Sequence, residues 1–260
     1  MTSSRPVMVI SGAGPGMGRA LAILAARRGM DMALAARRAE MLDETAALVR
    51  DAGGGVLCVP ADLTDPAGAR RVVDMALQRF GRLDVLVHSL LPPHVFKRIL
   101  ALQDEDIEGW RNSVEMSTLA ALLVAREAAR PMVAAGKGAM VFVTATSGLQ
   151  GYPAVSAHAV GKAGIHALMQ CIASEMGPLG VRANAVAVGV IDGATSRTRP
   201  RTCPPEIEAD LKRAVDASAG ALQRNITETE AAEAVLYLAS DASSGTTGQI
   251  LVVDGGRYFH

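Results

Sequence analysis

The chain has 260 residues, of which 50% are hydrophobic, and its 26 lysines and arginines balance its 26 aspartates and glutamates. This length is sufficient for one α/β domain with a buried core, and the zero net charge argues against a nucleic-acid-binding protein or a partner of anionic membranes. The three cysteines, Cys58, Cys171 and Cys203, have no metal-binding spacing, so we expect no metal site and a reducing compartment.

The N-terminal apolar run, Val7–Ile10, is shorter than the core of a signal peptide, and no uncharged apolar stretch approaches the length of a membrane span. No internal repeat or low-complexity linker divides the chain. We therefore expect a single cytoplasmic domain over residues 1–260.

Short aliphatic runs alternate along the chain with longer stretches of helical periodicity. The predicted strands, in chain order, are Val7–Ile10, Met32–Ala35, Val56–Val59, Val85–Val87, Met140–Val143, Arg182–Val186 and Ile250–Val253. The predicted helices are Gly16–Arg28, Glu40–Asp51, Ala67–Phe80, Glu105–Val133, Val155–Met176 and Glu228–Ala239. Because near-continuous apolar strands separated by helices form parallel sheets covered on both faces, we predict an α/β fold, a single doubly wound Rossmann-type sheet of about seven strands.

A glycine-rich turn lies between the first predicted strand and the first predicted helix. Glycines allow the backbone to turn tightly and to approach a pyrophosphate, whose charge is stabilised by the helix N-terminus. This placement between a strand and a helix makes the pattern specific for a dinucleotide. The predicted cofactor-binding residues of the turn are Ser11, Gly12, Gly14, Gly16, Met17 and Gly18.

The second predicted strand is followed by Ala36, Arg37 and Arg38, without an acidic residue. Sites for NAD place a carboxylate here for the ribose hydroxyls, whereas an arginine accommodates the 2′-phosphate of NADP. A guanidinium group also matches a phosphate geometrically. We therefore predict that NADP(H) is preferred over NAD(H), with a pair of solvated arginines as the alternative interpretation.

The helix predicted over Val155–Met176 carries His158 and Lys162, which lie four residues apart. Residues at this spacing share one helix face, so an imidazole and an ammonium group are predicted to be neighbours. Imidazole is the usual general acid or base near neutral pH, and a nearby ammonium lowers its pKa. A histidine that only fills space is the alternative.

Residues 192–225 interrupt the alternation of strands and helices. The segment is rich in proline, arginine, alanine and threonine and has one weak helical pattern, Glu206–Val215. Long excursions inside a compact domain are often lids or binding loops, so we predict a substrate lid, with a surface insertion as the alternative.

Four parts of the sequence match one known family: the glycine-rich turn, the pair His158 and Lys162, the segment Ala61–Thr64 and the closing segment Ser240–Gly256. Together they resemble the short-chain dehydrogenase/reductase family over nearly the whole chain. The resemblance implies an oxidoreductase that interconverts a carbonyl and a secondary alcohol with a nicotinamide cofactor. It also implies a homotetramer or homodimer, formed through apolar segments such as Leu119–Ala125 and Ile165–Ile172. The further cofactor contacts that it implies are Asp62, Leu63, Ser89, Lys162, Gly189 and Ile191. An alternative role for Asp62 is to cap the following helix.

The catalytic positions depart from the family pattern. In the family, a tyrosine transfers the proton, a lysine activates it, a serine orients the carbonyl, and an asparagine positions a water. The resemblance maps these positions onto His158, Lys162, Ala145 and Ser117, so the lysine alone is retained. Ser147 lies two residues beyond Ala145 and would face the same side if the strand continued. The candidate catalytic residues are therefore His158, Lys162, Ser117 and Ser147.

The segments Leu90–Phe96 and Gly148–Val155 flank the carboxyl edge of the predicted sheet, where ligands bind in this topology. Their apolar content predicts a hydrophobic small-molecule substrate, with Leu91, His94 and Tyr152 as candidate contacts. Because the catalytic pattern is altered, two further hypotheses stay open. One is a redox-neutral enzyme that catalyses elimination or isomerisation, and the other is a non-catalytic nucleotide-binding homologue.

Overall fold

The computed structural model describes residues 3–93, 95–192, 205, 207–209 and 220–259. His94 and most of the predicted lid lie outside these ranges, as does the patch Glu206–Val215 apart from three of its residues. In the described part of the chain, no helix is long and apolar enough to cross a membrane.

The predicted alternation of strands and helices is confirmed, with every predicted strand and helix present. The strands are β1 Val7–Ser11, β2 Asp31–Ala36, β3 Val56–Pro60, β4 Val85–His88, β5 Gly138–Ala145, β6 Val181–Val188, β7 Ile191–Asp192, β8 Ile226–Thr227 and β9 Ile250–Val253. The helices are α1 Met17–Arg27, α2 Ala39–Asp51, α3 Pro66–Phe80, α4 Asp104–Ala135, α5 Ser156–Met176 and α6 Glu228–Ala239. Short 3₁₀ turns cover Ile99–Ala101, Thr146–Gly148, Gly177–Leu179 and Asp241–Ser243.

Seven strands form one parallel sheet in the order β3-β2-β1-β4-β5-β6-β9. The order reverses between β1 and β4, and such a reversal opens a crevice at the carboxyl ends of the strands. The Rossmann-type fold is therefore confirmed. The strands β7 and β8, which the sequence did not indicate, pair with each other and bring together the two ends of the predicted lid.

Both faces of the sheet are covered, which explains why β1 is buried at every position. Alternate residues point to opposite faces: Val9 joins the core beneath α3, α4 and α5, while Met8 and Ile10 join the core beneath α1, α2 and α6. A strand with strictly alternating polar and apolar residues would have buried its polar side chains against one of the two helix layers.

Local sequence signals set the helix ends. The carboxylate of Asp65 accepts hydrogen bonds from the backbone N–H groups of Ala67 and Gly68, and Pro66 opens α3 without an N–H to satisfy. The helix ends at Gly81, whose φ of 76° is the left-handed conformation that glycine adopts without strain. Asp65 is thus the residue that caps α3, so the alternative role of Asp62 as a helix cap is wrong.

Candidate active site

The glycine-rich turn joins β1 to α1 with almost no space for side chains. A Cβ on Gly12 would lie 2.5 Å from the carbonyl oxygen of Ser89, and a Cβ on Gly18 would lie 2.3 Å from the carbonyl oxygen of Gly12. Gly12 and Gly16 have φ angles of 92° and 98°, which favour glycine. The turn therefore packs its backbone directly against the chain that follows β4.

The N-terminus of α1 is open to an anion. Its N-cap residue is Gly16, and no side chain caps the helix. The first N–H groups of a helix lack partners within the helix, and their partial positive charge favours phosphate. A tight backbone cradle followed by an uncapped helix start fits the pyrophosphate of a dinucleotide.

The residues predicted to contact the adenosine part of the cofactor follow β2 and β3. Arg37 and Arg38 are both exposed, and Leu63 is buried. The hydroxyl and backbone N–H of Thr64 donate to Asp62 at 2.7 and 2.9 Å. These bonds, and then the charge of Arg37, lower the pKa of Asp62. The carboxylate of Asp62 is therefore fixed by its own loop and lies within the field of Arg37.

Lys162 crosses the crevice beside the reversal of the strand order. Its Nζ donates to the carbonyl oxygens of Leu90 and Val143, both at 3.2 Å, so it connects the ends of β4 and β5. The side chain is buried, and burial lowers the pKa of its ammonium group to about 8. An ammonium group has three N–H donors, so these two bonds leave one for a ligand.

Two buried imidazoles lie near Lys162. Nδ1 of His88 is 2.9 Å from Oγ of Ser11, and Nε2 of His166 is 2.7 Å from Oγ1 of Thr144. Burial and the charge of Lys162 lower the pKa of His88 to about 3 and that of His166 to about 4. Both rings are therefore neutral at neutral pH, and Lys162 carries the local positive charge. The hydroxyl of Ser11, and not only its backbone, therefore takes part in the contacts of the site.

His166 was not among the residues singled out from the sequence. It follows Lys162 by four residues, and His158 precedes Lys162 by the same interval. The helix-face argument that selected His158 therefore applied equally to His166. The four-residue spacing from Lys162 therefore indicated both histidines, although only His158 lies at the family's tyrosine position.

His158 lies in the first turn of α5 and is half-buried. Ser147 lies in the 3₁₀ turn Thr146–Gly148, because β5 ends at Ala145. The expectation that Ser147 shares the strand face of Ala145 is therefore wrong, since no strand continues to it. The Oγ of Ser147 is nevertheless buried and has no hydrogen-bond partner among the described residues.

The hydroxyl of Ser117 is engaged within its own helix. Its Oγ donates to the carbonyl oxygen of Ser113 at 2.9 Å, and α4 continues without a break through this position. A Cβ on Gly161 would lie 2.6 Å from the same Oγ, so α5 packs closely here. Ser117 thus lies at the contact of α4 with α5, with its single proton already donated.

The remaining predicted cofactor contacts lie around the same crevice. The N–H of Ser89 donates to the carbonyl oxygen of Ser11 at 2.7 Å. A Cβ on Gly189 would be 2.5 Å from the Cβ of Asp254, so the chain after β6 fits tightly against the C-terminal segment. Ile191 begins β7. Ser89 and Gly189 directly follow the carboxyl ends of β4 and β6, and Ile191 lies two residues after Gly189.

The substrate side contains a cavity of about 530 Å³. Its lining combines two cations with apolar and small side chains: Lys97, Arg98, Ile99, Leu100, Tyr152, Pro153, Ala154 and Ser156. Lys97 is paired with Asp106 at 2.5 Å. Of the predicted substrate contacts, Tyr152 lines the cavity, Leu91 is exposed nearby in sequence, and His94 lies outside the described residues. Within the described ranges no cluster of three potential metal ligands occurs.

Comparisons with known proteins agree over nearly the whole chain. The model of the enoyl-(acyl carrier protein) reductase family matches residues 12–257. The chain is 36% identical to a cis-4-hydroxycyclohexanecarboxylate dehydrogenase of Sinomonas cyclohexanicum, over 96% of this chain and 95% of that protein. It is 34% identical to a 1,6-dihydroxycyclohexa-2,4-diene-1-carboxylate dehydrogenase of Pseudomonas putida, over 96% and 91% of the two chains.

The fold also has close structural relatives. The crystal structure of levodione reductase superposes with a TM-score of 0.88 and 25% sequence identity, covering 99% of this chain and 98% of that chain. The similarity therefore includes both the glycine-rich turn and the helix that carries Lys162.

Proposed function

Because the chain belongs to the short-chain dehydrogenase/reductase family, we propose that it uses NADP(H) to interconvert a secondary alcohol and a ketone on a ring that carries a carboxylate. That it is an oxidoreductase acting on alcohol or carbonyl groups follows from the family and from its dehydrogenase relatives. The observation that carries the finer proposal is the buried Lys162 ammonium, held beside the glycine cradle with one donor to spare.

The residues present fit a nicotinamide dinucleotide. The cradle of Gly12 to Gly18 would hold the pyrophosphate, Arg37 and Arg38 the 2′-phosphate, and Lys162 the nicotinamide ribose. When bound, the cofactor supplies hydride to the substrate carbon or accepts hydride from it. The preference for NADP(H) is supported by two exposed cations and by the absence of an acidic residue at the end of β2.

We assign the proton transfer to His158. When the alcohol is oxidised, a neutral imidazole accepts the hydroxyl proton, and when the ketone is reduced, the imidazolium returns it. The buried hydroxyl of Ser147 is the candidate donor to the reacting oxygen. In this proposal Ser117 lies farther from the reacting oxygen than Ser147, between α4 and α5.

The substrate class is supported by two lines of argument. Two relatives bear the names of dehydrogenases for six-membered rings with a carboxylate. The cavity of this chain places Arg98 beside the exposed apolar side chains of Ile99 and Leu100, while Lys97 is paired with Asp106. An apolar wall suits the ring, and an arginine binds a carboxylate with paired hydrogen bonds.

The test is oxidation of cis- and trans-4-hydroxycyclohexanecarboxylate with NADP⁺ or NAD⁺, with cyclohexanol as the control that lacks the carboxylate. We expect reduced nicotinamide to appear, with the higher kcat/KM for NADP⁺ and for the acid. Arg37→Asp should raise the KM for NADP⁺ far more than that for NAD⁺. Turnover without a change in nicotinamide absorbance would favour a redox-neutral enzyme. Saturable NADPH binding without any turnover would favour a non-catalytic homologue.

A further inference from the structure

His166 lies where α5 meets the end of β5, one helical turn beyond Lys162. It is 6% exposed, and its Nε2 is 2.7 Å from Oγ1 of Thr144, the residue before the last in β5. The same hydroxyl is 3.3 Å from the carbonyl oxygen of Val186, so its shorter contact is with the imidazole. This contact joins the strand to the helix through side chains.

The 3₁₀ turn that follows β5 packs on the backbone of the same helix. A Cβ on Gly148 would lie 2.9 Å from the carbonyl carbon of Lys162 and from the nitrogen of Ala163, and 3.0 Å from Cε1 of His166. The absence of a side chain at Gly148 therefore lets the turn lie directly against α5. The edge of the His166 ring is within contact distance of that turn.

The protonation of the ring follows from its partners. Burial and then the charge of Lys162 lower the pKa of His166, while a weaker opposing contribution comes from a hydrogen bond to the backbone of Gly148, as a carbonyl acceptor gives. A neutral imidazole has one donor and one acceptor nitrogen. Nε2 then accepts the proton of the Thr144 hydroxyl, and Nδ1 donates to Gly148. The ring uses both nitrogens to hold the strand end and the turn.

The turn carries the buried hydroxyl of Ser147, which has no partner among the described residues. A buried hydroxyl without a hydrogen bond is unfavourable, so such a group calls for a ligand or a specific role. The hydroxyl of Thr144 is already committed to His166. Ser147 therefore offers a hydroxyl that no described protein group engages, and it is the candidate donor to the reacting oxygen.

We propose that His166 is a positioning residue, which clamps the end of β5 and the turn Thr146–Gly148 onto α5 and so fixes the hydroxyl of Ser147 for the substrate oxygen. This inference rests on the proposed function for its catalytic consequence, but not for the clamp itself. His166 touches neither substrate nor cofactor in this arrangement and acts through Ser147.

The catalytic test is a double-mutant cycle with His166→Phe and Ser147→Ala. His166→Phe keeps a ring in place and removes both hydrogen bonds, so kcat for alcohol oxidation should fall on the order of ten- to hundredfold. The KM for NADP⁺ should stay unchanged. In the Ser147→Ala background, the same substitution should have little further effect on kcat. Independent, multiplicative losses would overturn the proposal.

His166→Gln is the matched control, because its amide oxygen can take the position of Nε2 and accept the proton of the Thr144 hydroxyl. We expect it to keep the contact with Thr144 and to retain kcat within a fewfold of the wild type. If the phenylalanine and glutamine variants lose the same activity, the hydrogen bond to Thr144 has no positioning role.

A structural test separates this inference from the proposed function. Amide hydrogen exchange at Ser147 and Gly148 should be faster in His166→Phe than in the wild type, while exchange in β1 should be unchanged. ¹⁵N spectra should show His166 neutral and protonated at Nδ1. A protein that fails to oxidise any alcohol but passes these two tests would contradict the proposed function alone. Unchanged exchange at the turn would overturn the clamp.

Discussion

At the scale of single residues, the site combines one buried cation with two neutral imidazoles. Lys162 retains an ammonium character because two backbone carbonyls accept its protons, although burial lowers its pKa to about 8. His88 and His166 stay neutral because burial, and then the nearby ammonium of Lys162, disfavours their charged forms. The site is thus built to carry one positive charge near neutral pH.

A first prediction concerns His158, the residue at the position of the family's tyrosine. His158→Gln should lower kcat for alcohol oxidation on the order of a hundredfold, because general base catalysis contributes about that much. The Kd for NADPH, measured by quenching of the single Trp110, should stay within a fewfold of the wild type. Unchanged kcat would assign the proton transfer to another group.

A second prediction concerns acid stability. The folded-state pKa values of about 3 for His88 and about 4 for His166 lie below the unfolded reference of 6.5. The unfolded chain therefore binds more protons as the pH falls below 6.5, and the free energy of unfolding decreases until the pH passes the folded values. By about pH 4.5 each histidine should cost on the order of 2 kcal/mol.

Urea unfolding between about pH 7 and pH 4.5 measures this loss. His166→Gln should flatten the dependence of the unfolding free energy on pH, since its amide does not titrate. An equally steep dependence in that variant would mean that the His166 ring is already charged or exposed in the folded protein.

At the scale of elements, the glycine-rich turn allows a matched comparison. Gly18→Ala would place a Cβ 2.3 Å from the carbonyl oxygen of Gly12, whereas Gly177→Ala, outside the turn, would meet nothing within 4 Å. We expect the first variant to weaken NADPH binding at least tenfold, on the order of 1.4 kcal/mol. The second should bind nearly as the wild type does. Calorimetry with NADPH distinguishes them, and equal affinities would refute the cradle.

The elements were largely predictable from the sequence, because each strand is a short apolar run and each helix has its own period. The end of β5 was not, since Thr144 to Ser147 have no proline or glycine to mark a stop, and the conversion to a 3₁₀ turn depends on packing against α5. The strands β7 and β8 are too short for any periodicity to show.

Within the site, the cradle and Lys162 followed from motifs whose residues are close in sequence. The contacts of His88 with Ser11 and of His166 with Thr144 join residues that are distant in sequence. Only the parallel register of β1 with β4, and the packing of α5 on β5, brings them together. The residue pattern of a single sequence does not predict such long-range contacts.

At the scale of the whole molecule, the structure separates core from candidate interface. Ile165, Met169 and Ile172 are buried in the protein's own core, so the apolar face of Ile165–Ile172 is explained without a partner. Leu122 on α4 and Val160 on α5 are each 45% exposed on the outer surface of two packed helices. Association through α4 and α5 could bury these two exposed apolar side chains.

We therefore predict a homotetramer or homodimer that depends on Leu122 and Val160. Leu122→Glu should shift the sedimentation coefficient toward that of the monomer, because a carboxylate in an apolar interface is costly to desolvate. Leu48→Glu on α2 is the matched control, since Leu48 is 40% exposed on another helix. A monomeric wild type, or an equal effect of both variants, would contradict the prediction.

Lys162 is held by the main-chain carbonyl oxygens of Leu90 and Val143, which do not depend on the side chains at those two positions. Every amino acid carries the same carbonyl, so exchanging either side chain leaves the acceptors of the ammonium intact as long as the local backbone path is kept. An engineer can therefore diversify position 90 without dislodging the Lys162 ammonium, whereas the side chain of Val143 belongs to the buried core.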